Sequence, residues 1–130
     1  MKLRSTLATL LVTAVLVSAA EVKKIAPADA AKLVANGKAV LVDVREPAEW
    51  SGGVAESAAL LPLSDLTGAR VRWKPFLAQV GAREIILYCR SGARSGKAAS
   101  VLSAEGFKTA NAGGFDDWRS AGLPVGKPQQ

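Results

Sequence analysis

The 130-residue chain contains no histidine and only one cysteine, Cys89, and these two shortages exclude several kinds of site. Without histidine, neither a Ser-His-Asp triad nor a Cys-His pair can form. A single cysteine allows neither an internal disulfide nor a C-x-x-C redox pair, and without histidine it speaks strongly against a zinc site. The sequence therefore predicts a protein without a metal or other cofactor.

Aromatic residues and long basic runs are also scarce. Phe, Trp and Tyr together make up 5% of the chain, which disfavours a β-sandwich core. The net charge is +6, but the lysines form no run and do not alternate with aromatic residues. This distribution disfavours nucleic-acid binding, whereas a modest positive field suits a small anionic substrate. The length favours one domain.

The first twenty residues have the composition of a cleavable signal peptide. Lys2 and Arg4 precede an apolar run over 7–17, and residues 18–20 are small, with a cleavage point before Glu21. The run is shorter than the ~20 residues that cross a bilayer, so we expect no stable membrane anchor. Cleavage removes two of 17 basic residues and lowers the net charge from +6 to +4. We expect residues 21–130 to form one domain that is exported to the periplasm.

Apolar, strand-like segments alternate with helical patterns through the rest of the chain. Strands are predicted over 39–44, 58–63, 84–88 and 107–110, and helices over 27–37, 71–80, 95–105 and 115–121. Segments 64–68 and 111–114 have the composition of turns, and Gly126 begins a predicted tail. This alternation predicts an α/β fold, with a mostly parallel central sheet and helices on both of its faces.

Cys89 lies where strand 84–88 leads into helix 95–105. The side chains of residues 89–94 are small or cationic. A loop that opens onto a helix directs several unpaired N–H groups at one point, and Arg90 and Arg94 can add positive charge. These features predict an exposed thiolate with a lowered pKa. The simpler interpretation is a buried, apolar cysteine.

Asp43 stands near the end of the first predicted strand. In open α/β sheets, sites form beyond the carboxyl ends of the strands. We therefore expect Asp43 and Cys89 to face the same crevice.

Three segments resemble the rhodanese family of sulfurtransferases. Leu41–Trp50 is similar to the family's D-V-R-x-x-x-E-[FW] segment, and Tyr88–Ser95 to its C-x-x-G-x-R-S loop. Gly113–Val125 is similar to its G-G-x-x-x-W-x-x-A-G-x-P-V ending. Three such motifs in the right order are a strong signal. They imply a rhodanese-like three-layer fold.

The resemblance also implies a chemistry. Cys89 would take the outer sulfur of thiosulfate or of a persulfide donor, become a persulfide, and pass the sulfur to cyanide, a thiol or a protein acceptor. Arg90 and Arg94 would hold the sulfonate end of the donor. The implied loop consists of Arg90, Ser91, Gly92, Ala93, Arg94 and Ser95, with Ser95 as a helix-start hydroxyl. Asp43 and Arg45 are expected to form a supporting ionic brace.

Two other functions compete with this interpretation. In the cysteine–arginine phosphate loop of phosphatases and arsenate reductases, the arginine follows the cysteine by six positions. Here that position holds Ser95, and the arginine comes one step earlier, at Arg94. The shorter loop suits a single sulfur better than a phosphoryl group. The second alternative is a persulfide carrier or binding module that serves a protein partner, and the presence of Cys89 does not distinguish it from a free enzyme.

Overall fold

The computed structural model describes residues 8–13 and 21–129. Residues 1–7 and 14–20 of the predicted signal peptide, including the residues just before the expected cleavage point, lie outside this part of the chain. Among the described residues, no helix has the length and apolar character needed to cross a membrane.

Helices and strands alternate from residue 27 onward. The helices are α1 (Pro27–Ala35), α2 (Leu63–Leu66), α3 (Trp73–Gln79), α4 (Ala93–Ala104) and α5 (Phe115–Ser120), and a 3-10 helix spans Pro47–Gly52. The strands are β1 (Ala39–Asp43), β2 (Val54–Ala55), β3 (Ala59–Leu60), β4 (Glu84–Cys89), β5 (Thr109–Gly114) and β6 (Val125–Gly126).

The central sheet has the strand order β3-β1-β4-β5, and all its pairings are parallel. Strands β2 and β6 form a separate antiparallel pair. All six residues of β4 are buried, because a central strand in a parallel sheet is covered on both faces. The predicted α/β fold with a mostly parallel sheet is confirmed.

Alternation along β1 and β4 divides the core into two clusters, one on each face of the sheet. The first cluster contains Val42, Leu87 and Cys89, and it packs against α2, α3 and α4. The second contains Leu41 and Tyr88, and it packs against α1 and α5. The protein therefore has three layers, and Cys89 belongs to the first face.

The structure corrects four of the predicted assignments. The predicted turn 111–114 is instead the second half of β5, because β5 continues to pair with β4 until Gly114 lies opposite Cys89, after a shift in register. Most of the predicted turn 64–68 is the end of α2. The predicted strand 58–63 shortens to β3, and Gly126 lies in β6 instead of a tail. For β3, β5 and β6, the strand partner that decides the structure is distant in sequence.

A buried polar network joins β1, β4 and the end of β2. The Asp43 Oδ2 atom accepts hydrogen bonds from Tyr88 Oη at 2.6 Å and from Arg45 Nη2 at 2.8 Å. Tyr88 Oη accepts the N–H of Ala55 at 2.9 Å, and Arg45 also donates to the carbonyl of Gly53. Burial and the neighbouring carboxylate raise the pKa of Tyr88, which keeps its hydroxyl a donor. This network is the ionic brace that the sequence predicts.

Replacing Tyr88 by Phe removes one donor from buried Asp43 and leaves the N–H of Ala55 without its acceptor. We expect the free energy of unfolding, measured by urea titration, to fall by about 1–3 kcal/mol. The control is Ser51→Ala, which removes an exposed hydroxyl that donates to Ala48 and should change stability by less than about 0.5 kcal/mol. Equal effects of the two substitutions would contradict the role of the network.

Candidate active site

The loop that follows β4 turns within three residues and then enters α4. Gly92 is the N-cap of α4 and has a φ of +98°, a conformation that glycine adopts without strain. A Cβ atom at this position would also lie 3.4 Å from the Cα of Gly113. The tight turn brings the first N–H groups of α4 back towards the end of β4, where Cys89 lies.

Several donors converge on the sulfur of Cys89. The Gly92 N–H donates to Sγ at 3.0 Å, and Ser95 Oγ lies 3.4 Å from Sγ. Burial raises the pKa of the thiol, but hydrogen bonds from the Ser95 hydroxyl and from the N–H groups of Ser95, Ser91 and Gly92 outweigh it, so the pKa lies below its ordinary value. The loop geometry thus favours a thiolate, as the sequence predicts.

The exposure of Cys89 differs from the prediction. Cys89 is 0% exposed, whereas the sequence suggested an exposed sulfur. The reason is its position on the central strand, within the buried cluster that α4 covers. The simpler interpretation was right about burial, but the converging donors distinguish this sulfur from that of an inert core cysteine.

Arg94 is directed towards a carboxylate. Its guanidinium forms a two-pronged ion pair with Glu49 of the 3-10 helix, with N–O distances of 2.5 and 2.8 Å. Hydrogen bonding to Arg94 lowers the pKa of Glu49 to about 2, so the pair is ionised at neutral pH. Arg94 therefore ties the start of α4 to the 3-10 helix, and much of its positive charge is neutralised.

Arg90 is exposed and has no ion-pair partner among the described residues. It lines a cavity of about 310 Å³ together with Glu49, Arg45, Phe115, Asp116, Arg119 and Gly52. Arg45 and Arg119 lie against the ring of Phe115, 4.4 and 5.4 Å from its centroid. Three arginines and two carboxylates line this cavity, which makes its net charge positive, and Asp116 is paired with Arg119.

Asp43 and Cys89 do not face the same crevice, and that prediction was wrong. Val42 and Val44 lie on the Cys89 face of the sheet, so Asp43, which stands between them, points to the other face. There Asp43 is fully buried in its network with Arg45 and Tyr88. Both residues end neighbouring strands, but Asp43 is paired with Tyr88, the residue before Cys89. The side chains of Asp43 and Cys89 therefore point to opposite faces of the sheet.

The other loop residues occupy different surroundings. Ser91 and Ala93 are exposed, whereas Ser95 is fully buried. Ser95 was expected to be a helix-start hydroxyl, but Gly92 holds the N-cap position, and the Ser95 side chain forms no cap. Its hydroxyl instead lies between Cys89 Sγ and Asn111 Oδ1, 2.7 Å from the latter.

Sequence reasoning missed Asn111, and it missed Glu49 as the partner of Arg94. Asn111 was assigned only to a turn, yet its amide bonds Gly92, Ser95 and Gly113. Glu49 belongs to the Leu41–Trp50 segment that resembles the family, and this was the signal in the sequence that could have identified it as a functional residue. Within residues 8–13 and 21–129, no three His, Cys, Asp or Glu side chains cluster in the way a metal site requires.

Comparison with known proteins gives the same family. The model of the rhodanese-like domain matches residues 26–121. A sulfurtransferase of Allochromatium vinosum is 37% identical over 92 residues, which cover 69% of this chain and 80% of the relative. The thiosulfate:glutathione sulfurtransferase of Saccharomyces cerevisiae is 36% identical over 92 residues, covering 64% of this chain and 66% of the relative.

A solved structure extends the likeness to the fold. The polysulfide-sulfur transferase homodimer of Wolinella succinogenes superposes with a TM-score of 0.65 and 28% sequence identity, over 86% of this chain and 83% of that one. The chain spans between 55% and 80% of the length of the curated relatives that it matches first. The motifs, the three-layer fold and the matched family model agree, and the chain belongs to the family of rhodanese-like domains, with sulfurtransferases among its relatives.

Proposed function

We propose that the protein is a sulfurtransferase whose Cys89 carries the transferred sulfur as a persulfide. The observation that supports this most directly is the set of donors around Sγ, led by the Gly92 N–H at 3.0 Å. Such donors stabilise an anion in the same way as an oxyanion hole. A buried cysteine that stays a neutral thiol does not require such donors.

The reaction needs no histidine. The thiolate of Cys89 attacks the outer sulfur of thiosulfate, a new S–S bond forms at Sγ, and the S–S bond of thiosulfate breaks. Sulfite leaves with the electron pair of that bond, and because it is a stable anion it needs no strong general acid. An acceptor thiolate or cyanide then attacks the outer sulfur of the persulfide and restores the thiolate. The chain supplies a nucleophile whose pKa the loop lowers, so that the thiolate forms more readily than in a free cysteine.

The burial of Cys89 favours a small donor. Only the terminal sulfur of the donor has to reach Sγ, so a compact sulfane-sulfur anion fits better than a bulky one. Two relatives support this class of donor by their names, one acting on thiosulfate with glutathione and one on polysulfide. We infer that the donor is thiosulfate or a related sulfane anion and that the acceptor is cyanide or a thiol.

The two loop arginines take different parts in this proposal. Arg94 is occupied by Glu49, so it positions the loop. Arg90 is exposed, lies next to Cys89 in the chain and lines the cavity that Arg45 and Arg119 also line, so it is the better candidate to hold the anionic end of the donor by charge-assisted hydrogen bonds.

Incubation with thiosulfate, followed by intact mass measurement, tests the persulfide. We expect the native protein to gain one sulfur atom and to lose it again on addition of cyanide, because the outer sulfur is open to a second nucleophile. Cys89→Ser is the matched control, since it preserves the size of the side chain and should gain nothing. A native protein that stays unmodified would exclude thiosulfate as the donor.

Replacement of Arg90 by Gln tests the donor site. We expect KM for thiosulfate to rise about tenfold, the loss of roughly one charge-assisted hydrogen bond, with a smaller change in kcat. Lys97→Gln, which removes the same charge from an exposed position on α4, should leave KM within about twofold, because an exposed charge at a distance is screened by solvent. If both variants raise KM equally, general attraction between the positive protein and the anionic donor explains the binding. Arg90 then makes no specific contact with the donor.

A persulfide carrier is the second candidate. The complete burial of Cys89 favours it, because a carrier has to shield its sulfur until its partner docks. The two candidates differ in saturation. A free enzyme should saturate with thiosulfate and turn over with cyanide as the acceptor, whereas a carrier should react poorly with both small molecules and need a protein partner.

The phosphatase alternative needs a protonated carboxyl near the sulfur. Asp43 lies on the other face of the sheet, and Glu49 is ionised and paired with Arg94, so neither residue suits that role.

A further inference from the structure

The orientation of the Asn111 amide is fixed by its neighbours. Its Nδ2 group donates to the carbonyl of Gly92 at 2.9 Å, and a carbonyl can only accept. Its Oδ1 atom accepts the N–H of Gly113 at 3.0 Å, and an N–H can only donate. The oxygen of Asn111 therefore faces Ser95, whose Oγ lies 2.7 Å away.

The hydroxyl of Ser95 has one proton and two acceptors within reach. Asn111 Oδ1 lies 2.7 Å from Ser95 Oγ, and Cys89 Sγ lies 3.4 Å from it. Ser95 is fully buried, so water does not supply a further partner. When the proton points to Asn111, the Ser95 oxygen offers only a lone pair to the sulfur, which suits a neutral S–H. When it points to Sγ, it stabilises a thiolate, and the contact with Asn111 is lost.

We propose that Asn111 is a positioning residue that competes with Cys89 for the hydroxyl proton of Ser95 and so sets how readily Cys89 becomes a thiolate. Asn111 does not touch the sulfur and acts through Ser95. The inference rests on the proposed function only in that the thiolate is the attacking species. The competition itself concerns the free thiol and exists whether or not sulfur is transferred.

Four sets of charged groups lie near the loop, and replacement of Asn111 leaves all of them in place. Arg90 adjoins Cys89 in the chain, and the ion pair of Arg94 with Glu49 connects α4 to the 3-10 helix. Lys24 lines a cavity on the other side of the loop, together with Asn111. Asp117 of α5 accepts the N–H of Gly114 at the end of β5. Because removal of the neutral Asn111 side chain alters none of these charges, a change in thiol pKa reports on hydrogen bonding.

The test is a double-mutant cycle on the pKa of the Cys89 thiol. Asn111→Leu removes the competing acceptor with little change in size, and Ser95→Ala removes the shared proton. The thiolate absorbance of native protein, Asn111→Leu, Ser95→Ala and the double variant is titrated against pH, with Cys89→Ser as the blank. The raised pKa of Tyr88 keeps tyrosinate out of the signal. If Asn111→Leu does not fold, Asn111→Ala replaces it in the same cycle.

We expect Ser95→Ala to raise the thiol pKa, because the thiolate loses a donor. Loss of Asn111 should lower the pKa by about half a unit more in the native background than in the Ser95→Ala background, the effect of one freed hydrogen bond. A loosened loop would shift both backgrounds alike and cancels in this difference. Thr109→Val, which removes another bond between β5 and α4, should leave the pKa unchanged.

A difference of zero between the two backgrounds, or one of opposite sign, would overturn the proposal and leave Asn111 with a purely structural role. The pKa cycle requires no sulfur donor. Failure of the protein to gain sulfur from thiosulfate would therefore count against the proposed function and not against the competition for the Ser95 proton.

Discussion

A sulfur atom that is both buried and negatively charged is stable only where hydrogen-bond donors replace the water it has lost. Cys89 meets this condition at the end of a central strand, where burial alone would favour the neutral thiol. The donors are the Gly92 N–H, 3.0 Å from Sγ, and the Ser95 hydroxyl, 3.4 Å from it, and the N–H groups of Ser91 and Ser95 also lower the thiol pKa. They reach the sulfur because the chain turns directly from β4 into α4, with Gly92 in a conformation that other residues rarely adopt.

The rest of the fold holds this turn in place from two directions. On one side, Asn111 at the register shift of β5 bonds the carbonyl of Gly92 and the hydroxyl of Ser95. On the other, Glu49 of the 3-10 helix holds Arg94 in the first turn of α4. The network of Asp43 occupies the opposite face of the sheet and secures β1 against β4. The two faces thus separate the buried ionic brace from the buried sulfur.

The sequence predicted those features that depend on local pattern. The apolar strand leading to Cys89, the tight loop and the helix after it are contiguous, so their order could be interpreted directly. What it missed depends on contacts between distant residues. Asn111 has the local composition of a turn, and only its pairing beside β4 makes it part of a strand. The opposite orientations of Asp43 and Cys89 follow from how the two strands are phased, which neither strand reveals alone. The burial of Cys89 follows from the packing of α4 on the sheet.

The central claim is that folding stabilises the Cys89 anion, and the thiol pKa of the native chain compared with the urea-unfolded chain tests it most directly. The account predicts a native pKa below the unfolded value, which for a free cysteine is about 8.5. Because the unfolded chain would then bind this proton more tightly, the free energy of unfolding should rise with pH between the two pKa values. A native pKa equal to or above the unfolded one would contradict the account.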